Sequence, residues 1–270
     1  MELPRRPTNN PPRPLRAAAY RLDAKGALAI PYDPTSFTDF GIPFNNSGFQ
    51  SVLHVNKYLD IYAGIDRGVN VTFKDNNSSV AFEGGIGLNL LDGNLTTLAV
   101  THVGPENPGN NHDYRFLNHI MATWKITKAF TSITDLNLIY DELLPAWRFG
   151  AAQYFTYAVN DWLILGIRGE IWRDEEGFLV AQFRANNDFI HVERGDPLAP
   201  DPSTHGGGRT TYLAITGGVT IKPPVPKPFA GLLIRPEVRY DRALTDRTLP
   251  FDQLTSRDQW TLGIDAILEF

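Results

Sequence analysis

Three features of the sequence predict an all-β fold, an antiparallel transmembrane β-barrel with about 11–12 strands visible. Stretches of alternating apolar and polar residues recur along the chain. The connections between them alternate between short and long. The polar set of each stretch carries charge well inside the stretch rather than only at its ends.

The C-terminal stretch is the clearest. In Arg257 to Phe270, every second residue from the end is apolar: Phe270, Leu268, Ala266, Ile264, Leu262 and Trp260. The other set, Glu269, Ile267, Asp265, Gly263, Thr261 and Gln259, is mostly polar or small. A period of two marks a strand with one apolar and one wet face. Its length suits a tilted strand of ~9–11 residues crossing a bilayer better than a sandwich strand of ~5–6.

Taken from the start, residues 1–40 form an irregular Pro/Arg-rich N-terminal segment, and 41–270 form the barrel. Pro31, Pro34 and Pro43 exclude a long regular strand at the beginning. Strands are expected near 47–55, 58–67, 80–90, 95–103, 113–126, 130–141, 146–159, 162–173, 209–222, 229–242 and 257–270, with a shorter pair within 178–192. Short turns fall at Asn56-Lys57, Leu91 to Asn94, Thr127 to Ala129, Asn160-Asp161 and Lys222 to Pro228. Long polar loops fall at 68–79, 104–112, 142–145, 174–208 and 243–256. This is the layout of an outer-membrane barrel, with short periplasmic turns and longer external loops.

The faces agree with the loops. Tyr114, Phe116, Ile120, Ala122 and Trp124 oppose Arg115, His119, Thr123 and Lys125. Leu163, Leu165, Ile167 and Ile171 oppose Arg168 and Glu170. Leu232, Ile234, Pro236, Val238 and Tyr240 oppose Arg235, Glu237, Arg239 and Asp241. A barrel that is wet within and apolar outside explains charge at mid-strand. Trp124, Phe130, Tyr157 and Phe270 near short turns, and Tyr140, Trp147, Tyr240 and Trp260 near long loops, are candidate interfacial girdles. A two-sheet sandwich with solvent-facing charges is the alternative, but it gives no reason for loop lengths to segregate.

Strand parity adds an expectation. Eleven strands ending at the periplasm would leave the first and last parallel, whereas bacterial single-chain barrels have even numbers. A further strand is therefore expected, built by 25–42 around Ala27 to Ile30 or lying before a chain truncated at its N-terminus.

Composition sets the exclusions. Mean hydropathy is −0.23 and no apolar run approaches the ~20 residues of a membrane helix. There is no cysteine, which excludes disulfides and thiolate metal sites. The net charge of −5 argues against a nucleic-acid partner. No secretory signal is visible, because the basic start lacks an apolar core after it.

Little in the sequence points to chemistry. The histidines are scattered, with no metal-like pair, and His119 falls on the lumen face. The run Glu83-Gly84-Gly85-Ile86-Gly87 lies inside a strand with no helix after it, so it eases strand packing rather than cradling phosphate. Asp75-Asn76-Asn77 has oxygen ligands suited to calcium but fits solvated turn residues better. Gly206 to Gly208 looks like a hinge closing the 174–208 loop. Ser203, Thr204 and His205 adjoin one another, but sequence neighbours rarely form a triad. No catalytic residue, metal or cofactor is expected. A barrel hydrolase is the least favoured reading.

Several stretches resemble the putative beta-barrel porin-2 family of bacterial outer-membrane proteins. They are FGIPFNNSG at 40–48, YAGIDRGVNVTFKDNNSSVAFEGGIG at 62–87, THVGPE at 101–106, QYFTYAVNDWLILGIRGEIWRDEEG at 153–177, LIRPEVRYDRA at 233–243 and RDQWTLGIDAILEF at 257–270. The likeness runs in order over about 40–270 and speaks for the fold more than for a substrate. It implies an exported N-terminal part with further strands, a feature that residues 1–39 do not share.

The expected function is an outer-membrane porin passing small hydrophilic solutes by passive diffusion. The alternative is a non-conducting barrel that binds surface polymers or plays a structural part. The pore lining is expected to set Arg115, Lys125, Arg148, Arg168, Arg235 and Arg239 against Glu83, Asp135, Glu170, Glu237, Asp241 and Asp265, with His119 beside them. With signs so nearly balanced, strong ion selectivity is not expected, although Arg235 and Arg239 should attract anions locally. Expected partners are outer-membrane lipid, small hydrophilic solutes, and the barrel assembly machinery through the last strand and its Phe270.

The alternation has a direct solution test. Refolded into detergent micelles, the protein should give a strand-dominated circular dichroism spectrum and migrate differently on a denaturing gel before and after boiling. A monodisperse monomer in detergent-free buffer would instead identify a sandwich.

Overall fold

The computed structural model describes residues 46–69, 77–107, 109–143, 145–175, 209–245, 249–251 and 255–270. Its strands are β1 (Asn46–His54), β2 (Leu59–Val69), β3 (Ala81–Leu90), β4 (Leu95–Pro105), β5 (Tyr114–Lys125), β6 (Phe130–Asp141), β7 (Ala146–Ala158), β8 (Leu163–Asp174), β9 (Thr210–Ile221), β10 (Gly231–Ala243) and β11 (Asp258–Glu269). They form one 11-stranded sheet in sequence order. Each strand pairs antiparallel with the next, as in β10 and β11, where Gly231↔Glu269 runs without a slip to Arg242↔Asp258. Among the described residues, β1 pairs only with β2 and β11 only with β10. The N-terminal segment 1–40, the further strand expected around 25–42, the pair expected within 178–192, and the motifs at Ser203 to Gly208 lie outside the described residues.

Short turns close by local side-chain chemistry. The Asn56 Oδ1 accepts from the Tyr58 N–H at 2.7 Å and the Leu59 N–H at 3.1 Å. Asn160 does the same for Trp162 and Leu163, at 3.0 and 2.9 Å. Thr127 Oγ1 accepts from Phe130 N–H at 2.9 Å. A short polar side chain that mimics a backbone acceptor is what makes Asn and Thr turn formers. Between β3 and β4 the backbone turns through Leu91, Asp92 and Gly93, all at positive φ, with Gly93 at 87°. That geometry explains the Asp-Gly pair. The glycine run also has a physical role, since a Cβ on Gly85 would stand 2.9 Å from the Ala99 carbonyl oxygen of β4.

At the opposite end the longer loops are laced to each other. The Val69 N–H donates to Glu106 Oε2 at 2.8 Å, and Asn77 Nδ2 donates to the Pro105 carbonyl at 2.8 Å. Ser78 N–H and Ser79 Oγ both reach Asn111 Oδ1, at 3.0 and 2.9 Å. The β6–β7 connection at 142–145 is the exception, being no longer than the turn from Leu91 to Asn94.

The pleat separates the two faces cleanly. One face exposes Trp260, Leu262, Ile264, Ile120, Phe149 and Ile167, with Leu262 83% accessible. So large a continuous apolar surface is not tolerated in water and marks the side that meets lipid. Its aromatic pairs sit where the girdles were expected, with the Tyr140 and Trp147 rings 4.7 Å apart and those of Tyr240 and Trp260 4.9 Å apart. Gln153 is one of the polar groups on this face at mid-strand. Gln153 donates to Ser132 Oγ at 2.9 Å and to the Ile133 carbonyl at 2.8 Å, and accepts from Thr134 Oγ1 at 2.7 Å. With its hydrogen bonds closed locally, it avoids the cost of an unmet polar group in hydrocarbon.

The other face is concave, since side chains two strands apart meet on it: Glu170 of β8 meets Arg239 of β10, and Asp66 of β2 meets His102 of β4.

Neighbouring positions on β5 test the assignment at a single depth. Ile120→Arg puts a guanidinium on the lipid side and should cost about 2–4 kcal/mol in urea unfolding from vesicles. Met121→Arg faces Asp135 across the β5–β6 ladder and should cost clearly less. Equal losses would mean that the faces are exchanged.

Candidate functional site

The concave face holds the candidate site. Of the side chains that the alternation puts there, Glu83, Arg115, His119, Asp135, Arg148, Arg168, Glu170, Arg239 and Asp241 are buried. Arg235, Glu237 and Asp265 are half-buried, and Lys125 is exposed at the short-turn end of β5. Charges buried this deeply must be paired, and the pairing is close.

Around β8 to β10, Arg239 bridges two acids: its Nη1 donates to Glu170 Oε2 at 2.8 Å and its Nε to Asp241 Oδ1 at 2.7 Å. Gln259 Nε2 donates to the second Asp241 oxygen at 3.0 Å. Arg168 lies 3.4 Å from Glu170, donates to Thr216 Oγ1 at 3.3 Å, and stands over the Tyr154 ring. Nearer the short turns, Arg235 Nε donates to Asp265 at 2.8 Å, and a second contact makes the pair bidentate. Arg235 and Arg239, expected to attract anions locally, are each paired with neighbouring carboxylates.

Toward the long loops, Arg115 Nε donates to Asp141 Oδ2 at 2.8 Å, and Asn107 Nδ2 donates to Asp141 Oδ1 at 3.2 Å. Arg148 Nε stands 4.0 Å from Asp174. On the β2–β4 side the partners of the acids are different. His102 Nε2 lies 3.0 Å from Asp66 Oδ1, and its Nδ1 lies 3.7 Å from Glu106 Oε1. Glu83 accepts from Gln50 Nε2 at 2.9 Å. Burial pushes the Glu106 carboxyl above the usual carboxylate range, against the pull of His102 and Arg115. His119 sits 3.1 Å from Asp135, whose Oδ1 also accepts from Asn137 Nδ2 at 2.8 Å.

An apolar cluster interrupts the charged lining at the same end. Ile139, Trp172, Tyr212, Ala214, Ala243 and Phe251 are buried together, and the Phe251 ring meets Tyr212 edge-on at 6.3 Å. The lining here is packed where the alternation suggests an open, wet wall. Paired charges and interlocking rings fill space that single charged side chains would leave to water.

Asp66, His102, Glu106, Asp141, Asp174, Trp172, Tyr212 and Phe251 were not among the sequence candidates. For most of them a signal was present in the strand phase. Asp141 continues Asp135 and Asn137, Asp174 and Trp172 continue Arg168 and Glu170, and Asp66 continues Asp60. Every charged strand residue added in this way is an acid, so the near balance expected between signs shifts toward negative. Among the described residues no group of three or more His, Asp or Glu is arranged to hold a metal ion. Of Asp75-Asn76-Asn77, read as turn residues in preference to a calcium site, the first two lie outside the described residues and Asn77 Nδ2 donates to the Pro105 carbonyl.

Comparison with known proteins follows from this geometry. The family described as "Putative beta-barrel porin-2, OmpL-like" matches residues 35–270. No curated protein matches the chain as a relative. Among solved structures, the chain is similar to the outer membrane channel DcaP of Acinetobacter baumannii, with a TM-score of 0.48 and 10% sequence identity. The match covers 81% of this chain and 60% of that one.

The ion network has a measurable weight. Arg239→Met strands Asp241 and weakens the hold on Glu170, both fully buried, so it should lose about 3–5 kcal/mol in urea unfolding. Adding Asp241→Asn should recover part of that loss. Additive losses in the double variant would mean that the two side chains do not act as a pair.

Proposed function

Since the chain belongs to the putative beta-barrel porin-2, OmpL-like family and resides in the bacterial outer membrane, we propose that it is a porin-type channel passing small hydrophilic solutes down their gradients. The observation that carries this reading is the polar lane on the concave face. From Glu83 and Arg115 near the long loops, through Glu170 and Arg239, to Arg235 and Asp265 near the short turns, acidic and basic side chains succeed one another along the whole strand length. A lane of this kind has no use in a barrel that only fills a hole in the membrane. The lining residues orient and sort a passing solute by charge and size, and none is assigned a chemical step. The lipid partner follows from the apolar outer face. For β11 and the almost wholly exposed Phe270 that follows it, we assign contact with the barrel assembly machinery.

A second reading rests on one observation. The cluster of Trp172, Tyr212 and Phe251 fills the lining near the long loops, which supports a barrel that is narrow or shut there and binds surface polymers through its loops.

Planar-bilayer recording separates the two. The whole protein should give stepwise ion conductance, and Phe251→Ala, which removes a ring from the cluster, should raise the unit conductance. Silence from both proteins, with folding verified by the gel shift on boiling, would reject the pore and leave the binding barrel.

A further inference from the structure

The lipid-facing side of the sheet is not uniform. One cross-strand row on it, Thr97↔Ala122↔Thr134↔Gln153↔Gly169, runs from β4 to β8 without a large apolar side chain. With neighbouring strands ~4.8 Å apart, the row is roughly 19 Å long. Ile120 and Leu136 stand exposed on one flank, and Trp124 and Phe155 on the other, so the row is the floor of a trough. By contrast, the outward pairs Leu232↔Leu268, Pro236↔Ile264 and Val238↔Leu262 of β10 and β11 are apolar on both strands. At the β8 end of the trough, Gly169 and the outward-facing Gly217 of β9 are glycines that the chain itself does not require. A Cβ on either would meet nothing within 4 Å, and neither has a positive φ. Glycine inside a strand weakens it, and where internal packing does not demand it, it marks the close approach of another backbone. A second observation points the same way. The amide of Asn118, on the same face of β5 and opposite Thr101, is exposed and has no hydrogen-bond partner among the described residues. Hydrocarbon offers it none.

We propose that this trough on β4–β8 is where a second copy of the chain docks within the membrane. Small residues on both partners let two sheets approach closely, as they do between membrane helices. Two copies inserted alike carry the trough at the same depth. Strands of such barrels tilt ~35–45°, so facing troughs slant in opposite senses and cross near Thr134, the middle of the row. The polar groups here are amides and hydroxyls, which both donate and accept, so the surface is complementary to its own copy. Carboxylates or ammoniums in their place would repel across a two-fold axis. An acyl chain would fill the trough but leave the Asn118 amide unmet.

The chain has no cysteine, so a single introduced thiol reports on one position. Thr134→Cys, in the whole protein in its membrane, should be joined into a covalent dimer by a short bis-maleimide. Leu262→Cys, on the apolar part of the lipid face, should stay monomeric under the same treatment. Adding Gly169→Leu and Gly217→Leu to Thr134→Cys raises the floor of the trough where the chain itself leaves room. The dimer yield should then fall several-fold while the gel shift on boiling is kept. Should the leucine pair fail to fold, Asn118→Leu, which suits the lipid face, should lower the yield by itself. A Thr134→Cys protein that folds but stays monomeric, or a covalent product with any mass other than that of two chains, overturns the inference. So do equal yields from Thr134→Cys and Leu262→Cys, or a yield indifferent to the trough variants. Conductance has no part in the readout, so the pore reading stands or falls separately.

Discussion

The constraint on which everything else depends is that a backbone amide has no water to bond in hydrocarbon. Each unmet N–H or C=O there costs several kcal/mol, so a chain that crosses on strands must pair every one with a neighbouring strand. The ladder from β1 to β11 meets this demand by the simplest topology, a meander in which each strand pairs with the next. Once register is set by the turns, the pleat leaves no choice about side chains. Adjacent residues point to opposite media, and a slip of one residue would exchange them. The apolar outer face and the charged concave face are therefore one decision, made by the backbone.

That decision creates the second problem of the fold, which is how to bury charge. The concave face solves it by pairing along strands, as Arg239 does with Asp241, and above all across them. Arg239 of β10 reaches Glu170 of β8, Arg115 of β5 reaches Asp141 of β6, and His102 of β4 reaches Asp66 of β2. Such pairs contribute little net stability against an apolar alternative, because desolvation offsets the attraction. Their retention makes sense in a wall that has to present charge to something passing.

Strands, turns and faces could be read from the residues because the signals are local. Alternation is visible within a dozen residues, and Asn56, Thr127 and Asn160 carry their turn geometry in their own side chains. The lining was harder. Acids at strand tips, such as Asp66, Asp141 and Asp174, look like loop residues until the phase is carried to the end of the strand. Which charge meets which was out of reach. Arg239 finds Glu170 across 69 positions of sequence, a distance that only the stacking of the strands can close. Nor does anything local mark Phe251 as a residue that folds back against Tyr212. An aromatic in a polar loop reads equally well as an exposed tip.

The bonds that lace the loops have a mechanical meaning. A β-hairpin is hinged at its turn and free to sway at its open end. Here the bonds from Asn77 to Pro105 and from Ser78 and Ser79 to Asn111 run between the β2–β3 and β4–β5 hairpins. They act as cross-braces that turn two levers into a frame. A tug on one of these loops is then shared by four strands instead of peeling one. The rim resists shear without any thickening of the wall.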